Sequence, residues 1–277
     1  MSSTAALTDR GTLVAPPDWG TIDFISDLHL QAGQLETFAA FQRYLSTTRA
    51  DALFILGDLF EVWVGDDLLD DRRDPLSGFE RSCQQQLRQA SRQRPIYFLH
   101  GNRDFLLGEH AAQACGLQLL DDPTCLTFDD QRWLISHGDA LCTDDEPYQR
   151  FRRLVRSSDW QEAFLAKPLD ERLGIAKSMR AQSEALKSST SALIDVNAHV
   201  ACHWLTQANA SVLIHGHTHQ PAEHVLQSEP PLRRWVLSDW DAHATPARLE
   251  VLRLRRGLGL GREPVAVPLR KIGRAHV

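Results

Sequence analysis

Cysteine is scarce in this sequence, and no two cysteines stand in a Cys-x-x-Cys spacing. The five cysteines are odd in number, so they do not indicate a disulfide framework, and their spacing does not indicate a zinc knuckle. We therefore expect the protein to work in a reducing cytosol.

The sequence also lacks an excess of basic residues and a long apolar run, and we expect no N-terminal signal peptide. Its formal net charge of -6 argues against a general nucleic-acid binder, so we expect no nucleic-acid partner. No apolar run approaches the length of a membrane span, so any membrane contact would be peripheral. Residues 1–20 contain no continuous apolar segment, and we expect them to form a flexible leader.

What the sequence does contain is an ordinary globular composition, with 43% hydrophobic and 24% charged residues over 277 positions. That length suffices for one large domain, which we place at 21–270. Apolar patterns predict buried strands at 21–26, 52–56, 96–99 and 211–214, and helices at 35–45, 79–92 and 191–207. Strands that alternate with helices favour an α/β fold with a largely parallel sheet, whose sites gather beyond the carboxyl ends of the strands.

Other segments depart from this alternation. A hairpin is predicted from 124–128 and 132–136, and closing antiparallel strands are predicted at 225–226, 235–237 and 249–254. The aspartate-rich stretch at 66–74 is predicted to be a solvated loop. From 144 to about 190 helical spacing replaces the strand signals, which we interpret as a helical insertion and candidate lid. Residues 271–277 resemble the translation of a DNA-sequencing adapter, and we exclude them from the fold.

Several predicted strands end in side chains that can bind metal ions. Asp27 and His29 lie two apart in an extended chain and therefore point the same way. A lone histidine at a strand end is more often structural, and an aspartate after glycine is more often a turn residue, but five such strand ends coincide here. The candidate ligands are Asp27, His29, Asp58, Asn102, His137, His217 and His219.

Seven donors exceed the three or four ligands of a single catalytic zinc ion, which indicates two divalent ions that share a bridging carboxylate. Carboxylate, amide and imidazole donors suit Mn, Fe or Co and are also compatible with Zn or Mg. We expect two divalent metal ions as cofactors, with Mn²⁺ as the metal.

The strand-end strings Asp27-x-His29, Gly57-Asp58, Gly101-Asn102, His137-Gly138-Asp139 and Gly216-His217-x-His219 resemble the signature of the calcineurin-like metallophosphoesterases. Longer strings at 55–61, 100–108 and 141–145 resemble the UDP-2,3-diacylglucosamine pyrophosphohydrolases of that superfamily. The resemblance implies an αββα sandwich of mixed sheets with a helical lid insertion. It also implies that Asp27, His29, Asp58 and His219 hold one ion, and that Asp58, Asn102, His137 and His217 hold the other.

By the same resemblance, the catalytic residues are Asp58, Asn102, Arg103 and His217, and the substrate contacts are Asn102, Arg103, Asp145, Ser183 and His217. Many superfamily members have histidine where this chain has Arg103. Arginine cannot give up a proton, but its planar fork suits phosphate. A sugar phosphate is already a good leaving group, so Arg103 favours pyrophosphate cleavage over monoester hydrolysis.

The lid departs from the family pattern, which carries an asparagine followed three positions later by a lysine. This chain lacks that asparagine. Two explanations stay open: Lys187 takes over the phosphate contact, or the substrate is held by other residues. The nearby residues Arg150, Arg152, Arg153 and Arg156 fit either a solvated amphipathic helix or contact with anionic headgroups or substrate. We expect His100 and His215 to give structural support, and Asp104 and Asp139 to orient the ligand loops.

The activity implied is hydrolysis of UDP-2,3-diacylglucosamine to UMP and 2,3-diacylglucosamine 1-phosphate in lipid A synthesis. The resemblance further implies a Gram-negative bacterium, a cytoplasmic protein at the inner membrane surface, and no obligate protein partner. Two alternatives stay open. One is another nucleotide-linked pyrophosphatase or phosphodiesterase on the same fold, and the other is a binding protein that has lost catalysis.

Overall fold

Two mixed β-sheets pack face to face in a computed structural model of the chain. The structure describes residues 11–70, 75–189 and 195–266, with side chains at 75–77 and 181–189 left out. One sheet is ordered β1 (Thr12–Val14), β6 (Thr124–Phe128), β7 (Gln131–Ser136), β8 (Val212–His215), β10 (Leu232–Val236) and β9 (Glu223–Gln227). The other is ordered β12 (Gly259–Pro264), β11 (Glu250–Arg255), β2 (Thr21–Ile25), β3 (Ala52–Leu56), β4 (Ile96–Leu99) and β5 (Leu117–Leu119).

Helices cover the outer face of each sheet. Helices α1 (Leu35–Thr47), α2 (Pro75–Ser91) and α3 (Glu109–Cys115) pack on the sheet that contains β3, and α7 (Ala198–Gln207) packs on the other. Helices α4 (Glu146–Val155), α5 (Ser158–Leu165) and α6 (Leu169–Ser189) form the insertion. The predicted αββα sandwich of mixed sheets with a helical lid insertion is therefore confirmed.

Strand β3 shows why the sandwich has separate cores. Its side chains alternate, so that Phe54 and Leu56 enter the core between the sheets while Leu53 and Ile55 enter the core beneath the helices. Phe54 stacks on Tyr97 with ring centroids 4.6 Å apart. A strand that is buried on both faces has a continuous apolar sequence, which is the pattern of 52–56.

The parallel strands bring their carboxyl ends to one edge of the molecule. Strand β3 pairs in parallel with β2 and with β4, and β7 pairs in parallel with β8. The two sheets are joined at this edge, where His137 Nδ1 donates to the carbonyl of Leu56 at 2.8 Å. All five ligand-bearing loops therefore start close together.

Several predicted elements need correction. Thr12–Val14 is not part of a flexible leader but forms β1, which pairs in parallel with β6. Strands β5 and β12 were not predicted, and β10 runs parallel to β8 although it is antiparallel to β9. Strands β1 and β5 span three residues each, which is too short for a period of two to show.

Two other segments differ from prediction because polar side chains make specific contacts. The stretch at 66–69 is a 3-10 turn, and its Asp66 carboxylate accepts hydrogen bonds from Gly108 N and Ala111 N at 2.9 Å each. Helix α7 begins at Ala198 because Asn197 caps it. The predictions for 1–10, 71–74, 191–194 and 271–277 lie outside the described residues.

Candidate metal centre

Five of the seven candidate ligands sit on left-handed backbone. The φ angles are 55° at Asp27, 47° at His29, 52° at Asp58, 67° at His217 and 53° at His219. Residues other than glycine rarely adopt this conformation, and each costs on the order of 1–3 kcal/mol unless the surroundings impose it. Such strain concentrates at functional sites, so it supports the prediction that these residues act together at one site.

Two glycines allow the ligand loops to approach one another closely. Gly57 has a φ of +86°, and a Cβ atom there would lie 2.6 Å from His137 Nδ1. A Cβ atom on Gly101 would lie 2.1 Å from Asp58 Oδ1. Both positions therefore require glycine, because there is no room for a Cβ atom.

The loops after β2 and β3 continue the parallel pairing of their strands. Asp27 N donates to the carbonyl of Gly57 at 3.1 Å, and His29 N donates to that of Asp58 at 3.0 Å. The pairing places the Asp27-x-His29 loop directly beside Asp58. Backbone hydrogen bonds thus set the spacing of three candidate ligands before any ion binds.

One group of converging donors consists of Asp27, His29 and His219, whose ligand atoms all lie within 4.8 Å of one another. His219 Nε2 lies 3.2 Å from Asp27 Oδ1, and it lies 3.3 Å from His29 Nε2. Two imidazole nitrogens that face one carboxylate oxygen at these distances fit a divalent cation.

A second group consists of Asp27, Asp58 and His137. Asn102 Oδ1 joins it, at 3.1 Å from His137 Nε2 and 2.9 Å from His217 Nδ1. The structure thus brings all seven predicted ligands together. How the ligands divide between two ions stays a prediction, because Asp27 belongs to both converging groups.

Negative charge dominates the interior of this centre. Burial alone would lower the pKa of His137, but the carboxylates of Asp58 and Asp139 outweigh it and raise the pKa to about 9. Burial raises the pKa of Asp27, yet the hydrogen bond and charge of His219 bring it well below its usual range. A site that stabilises positive charge on a fully buried imidazole is also favourable for a metal cation.

Asp104 orients two ligand loops, as predicted. Its fully buried carboxylate accepts hydrogen bonds from the backbone of both loops. The donors are Asp58 N at 3.3 Å, Leu59 N at 2.7 Å, Phe60 N at 3.3 Å and Gly101 N at 2.9 Å. One side chain therefore fixes the loop that carries Asp58 against the loop that carries Asn102.

The flanking histidines are structural, again as predicted. His100 Nε2 lies 2.7 Å from the carbonyl of Leu107, and the fully buried His215 bonds through Nδ1 to the carbonyl of Gly216 at 2.9 Å. Both therefore serve loop structure. His137 uses its Nδ1 in a similar way, so that its Nε2 faces the centre.

Asp139 orients a ligand loop by tying the lid to it. Its Oδ2 accepts hydrogen bonds from Tyr148 Oη and from Arg152 Nε, both at 2.7 Å. The ring of Tyr148 stacks on that of His217 with centroids 5.8 Å apart. Helix α4 is therefore fastened to the loop that follows β7, and it also covers one candidate ligand.

The four arginines of the lid divide into two pairs. Arg152 and Arg156 point inward, and Arg156 donates to the carbonyl of Gly101 at 2.9 Å. Arg150 and Arg153 are exposed, and Arg150 pairs with Glu146 one turn away. The exposed pair fits the solvated helix, the inward pair makes structural contacts, and contact with anionic headgroups or substrate stays a prediction.

A cleft opens beside the metal centre and contains one predicted substrate contact, Arg103. Its lining also includes His29, His219, Trp240, Glu61 and Arg180. Asp145, a predicted substrate contact in the lid, caps α4 by accepting a hydrogen bond from Tyr148 N at 3.0 Å. The side chain of Ser183 lies outside the described residues, as does that of Lys187.

Glu61 and Arg180 are two of the lining residues that sequence reasoning missed. Glu61 follows Asp58 by three positions, within a string already noted for its resemblance, so a signal for it existed. Arg180 had no such signal, because helical spacing alone does not tell which arginine of α6 faces a cleft.

In the part of the chain that is described, no helix is long and apolar enough to cross a membrane.

Comparisons with known proteins agree with this geometry. The profile of the calcineurin-like phosphoesterase family matches residues 20–221. A UDP-2,3-diacylglucosamine hydrolase from Aromatoleum aromaticum is 44% identical over 246 residues, which cover 86% of this chain and 98% of that protein. The hydrolase from Chromohalobacter salexigens is 44% identical and covers 78% of this chain and 87% of its own length. The one from Ralstonia nicotianae is 43% identical and covers 89% of this chain and 93% of its own length. The similarity therefore extends far beyond the strand-end motifs.

Proposed function

The chain belongs to the calcineurin-like phosphoesterase family, and we propose that it hydrolyses UDP-2,3-diacylglucosamine to UMP and 2,3-diacylglucosamine 1-phosphate in lipid A biosynthesis. The observation that carries the proposal is the 42–46% identity, over most of the chain, to proteins named for this activity. The converging donors supply the metal centre that such a hydrolase needs.

The donors of the centre fit two divalent cations, and Mn²⁺ suits their mixture of carboxylate, amide and imidazole. Four residues would hold one ion, namely Asp27, His29, Asp58 and His219. Asp58 would also be a ligand of the second ion, together with Asn102, His137 and His217. When bound, the ions lower the pKa of a water molecule and polarise the phosphoryl oxygens.

The chain's own residues position the substrate. Arg103 N donates to Asp58 Oδ1 at 2.8 Å, and Arg103 also lines the cleft. There it would bind the diphosphate, which presents the α-phosphorus to water. The leaving group is a sugar phosphate, which needs no protonation by the enzyme, and this matches an arginine that cannot donate a proton.

A comparison of substrates tests the proposal. With Mn²⁺ present, we expect kcat/KM for UDP-2,3-diacylglucosamine to exceed that for UDP-glucose and ADP-ribose by at least about 10²-fold, since acyl chains add buried apolar area in the bound state. Equal rates on the unacylated nucleotides would instead favour a general nucleotide pyrophosphatase. The absence of the family's lid asparagine favours that second candidate.

Peripheral contact with the inner membrane is part of the proposal. The outer surface of the lid exposes Phe151 at 39%, Leu154 at 56% and Leu165 at 42%, and the cationic Arg150 and Arg153 are exposed there as well. Apolar side chains beside basic ones suit an anionic lipid surface. Co-sedimentation with phosphatidylglycerol vesicles checks this, and Leu154→Asp should reduce the bound fraction. Equal binding of the variant would contradict it.

A further inference from the structure

Glu61 is a buried acid between the metal centre and the lid. The residue is 8% exposed. Its backbone N donates to the carbonyl of Leu30 at 3.1 Å, and Phe60 bridges Leu30 in parallel. The paired ligand loops therefore deliver Glu61 to the side of His29 that faces away from the other ligands.

The two carboxylate oxygens of Glu61 contact different parts of the molecule. Oε2 lies 3.0 Å from His29 Nδ1, while the Nε2 of the same ring lies 3.3 Å from His219 Nε2 in the centre. A histidine that binds a metal through Nε2 is typically held by an acceptor at Nδ1, which fixes both the tautomer and the ring orientation. Glu61 is placed to be that acceptor.

The other oxygen, Oε1, lies 3.2 Å from Arg180 Nη1 of helix α6 and 3.9 Å from Arg103 Nη1. A buried carboxylate needs such partners, because burial without them is costly. Helix α6 has a second attachment to the same region, where the buried Arg172 donates to the carbonyl of Val64 at 2.5 Å. Of these two attachments, only that of Arg180 leads to a metal-ligand side chain.

We propose that Glu61 is a positioning residue that holds His29 with one oxygen and lid helix α6 with the other, and so couples the position of the lid to metal binding. The proposal rests on the assignment of His29 as a metal ligand. A carboxylate with a purely structural role would affect stability but would not change metal affinity and the local opening of α6 together.

Two substitutions separate the functions of the two oxygens. In Glu61→Gln the amide oxygen can replace the carboxylate oxygen beside His29 Nδ1, but the charge that pairs with Arg180 is gone. Glu61→Ala removes both contacts. Glu36→Ala is the matched control, because Glu36 Oε2 lies 3.1 Å from His243 Nε2 in a carboxylate–histidine pair that includes no candidate metal ligand.

The readouts are Mn²⁺ affinity by calorimetric titration and deuterium uptake of 169–180, both without substrate, so that they are independent of the pyrophosphatase assay. Glu61→Ala should weaken Mn²⁺ binding by about 10–100-fold, and Glu61→Gln by only a few-fold. Both should raise uptake in α6, and Glu36→Ala should change neither. Unchanged Mn²⁺ affinity in Glu61→Ala, or unchanged uptake in Glu61→Gln, would overturn the proposal. If Glu61→Ala does not fold, the uptake of Glu61→Gln decides.

Discussion

Asp58 is the residue on which the proposed two-ion centre depends. Its Oδ2 lies 3.9 Å from His29 Nε2 and 3.8 Å from His137 Nε2, so the carboxylate stands midway between two imidazoles of different loops. A bridging ligand must occupy such a position. The left-handed backbone at Asp58 and the absence of side chains at Gly57 and Gly101 make that position possible.

Replacing Asp58 with alanine should therefore lower kcat/KM by at least about 10²-fold, because two cations without a shared carboxylate repel each other. The metal content of the purified variant, measured by mass spectrometry, should fall below that of the wild type. Full activity with a normal metal content would refute the bridging role.

Arg103 should contribute to substrate binding and have no effect on metal binding. We expect Arg103→Ala to reduce kcat/KM by about 10–100-fold, since hydrogen bonds between charged groups contribute roughly 1.5–3 kcal/mol. Its metal content should equal that of the wild type. A loss of metal in this variant would show that the guanidinium supports the ligand loops instead.

The ligand residues could be predicted from the sequence because each follows a strand that is recognisable by its apolar run. Asp58 comes after Gly57 at the end of 52–56, and His217 follows another such run. Glu61 and Arg180 could not be assigned in this way. Their roles depend on a contact between a loop and a helix more than a hundred positions apart, which no local pattern encodes.

At the scale of elements, helix α4 is attached to the loop that carries His137. Asp139 is fully buried, and its partners Tyr148, Arg152 and Arg156 all come from the segment at 148–156. The spacing of these three residues places them on one face of the helix. The opposite face carries the exposed Arg150 and Leu154.

Arg152→Ala should destabilise the protein by about 1–3 kcal/mol, because the buried Asp139 carboxylate loses a charged hydrogen bond. Urea unfolding measures this free energy. Arg150→Ala is the control, since its exposed pair with Glu146 is expected to contribute less than about 0.5 kcal/mol. Equal effects of the two substitutions would contradict the anchoring of α4.

Most strands matched the sequence, whereas the three-residue β1 and β5 and the six-residue β12 did not. Strand β3 occupies 52–56 as predicted, and the hairpin of β6 and β7 turns at Asp129 and Asp130, both with positive φ as a tight hairpin turn requires. The three-residue strand β1 was missed. Its pairing with β6 depends on residues more than a hundred positions away.

At the scale of the whole molecule, the metal centre joins two sheets and the lid. Its ligands come from loops after β2, β3 and β4 in one sheet and after β7 and β8 in the other. The buried carboxylates of Asp27 and Asp58 lie close together at this junction, where a bound cation would offset their mutual repulsion. Ion binding should therefore stabilise the fold as well as enable catalysis.

Removal of the metal with EDTA should lower the melting temperature by roughly 5–10 °C, compared with protein in Mn²⁺ at about 100 times its Kd. That ligand excess adds about 2.7 kcal/mol to the free energy of unfolding. For a chain of this size, each kcal/mol changes the melting temperature by about 2–4 °C. Calorimetry should show recovery when Mn²⁺ is added back. An unchanged melting temperature would show that the ions do not bind at the junction.

The most direct test of the central claim is hydrolysis of UDP-2,3-diacylglucosamine in ¹⁸O-labelled water with Mn²⁺, followed by mass spectrometry of both products. Attack of water at the α-phosphorus places one ¹⁸O atom in UMP and none in 2,3-diacylglucosamine 1-phosphate, and Asp58→Ala should form neither product at a measurable rate. We predict this labelling pattern. Label in the sugar phosphate, or no hydrolysis by the wild-type protein, would contradict the account.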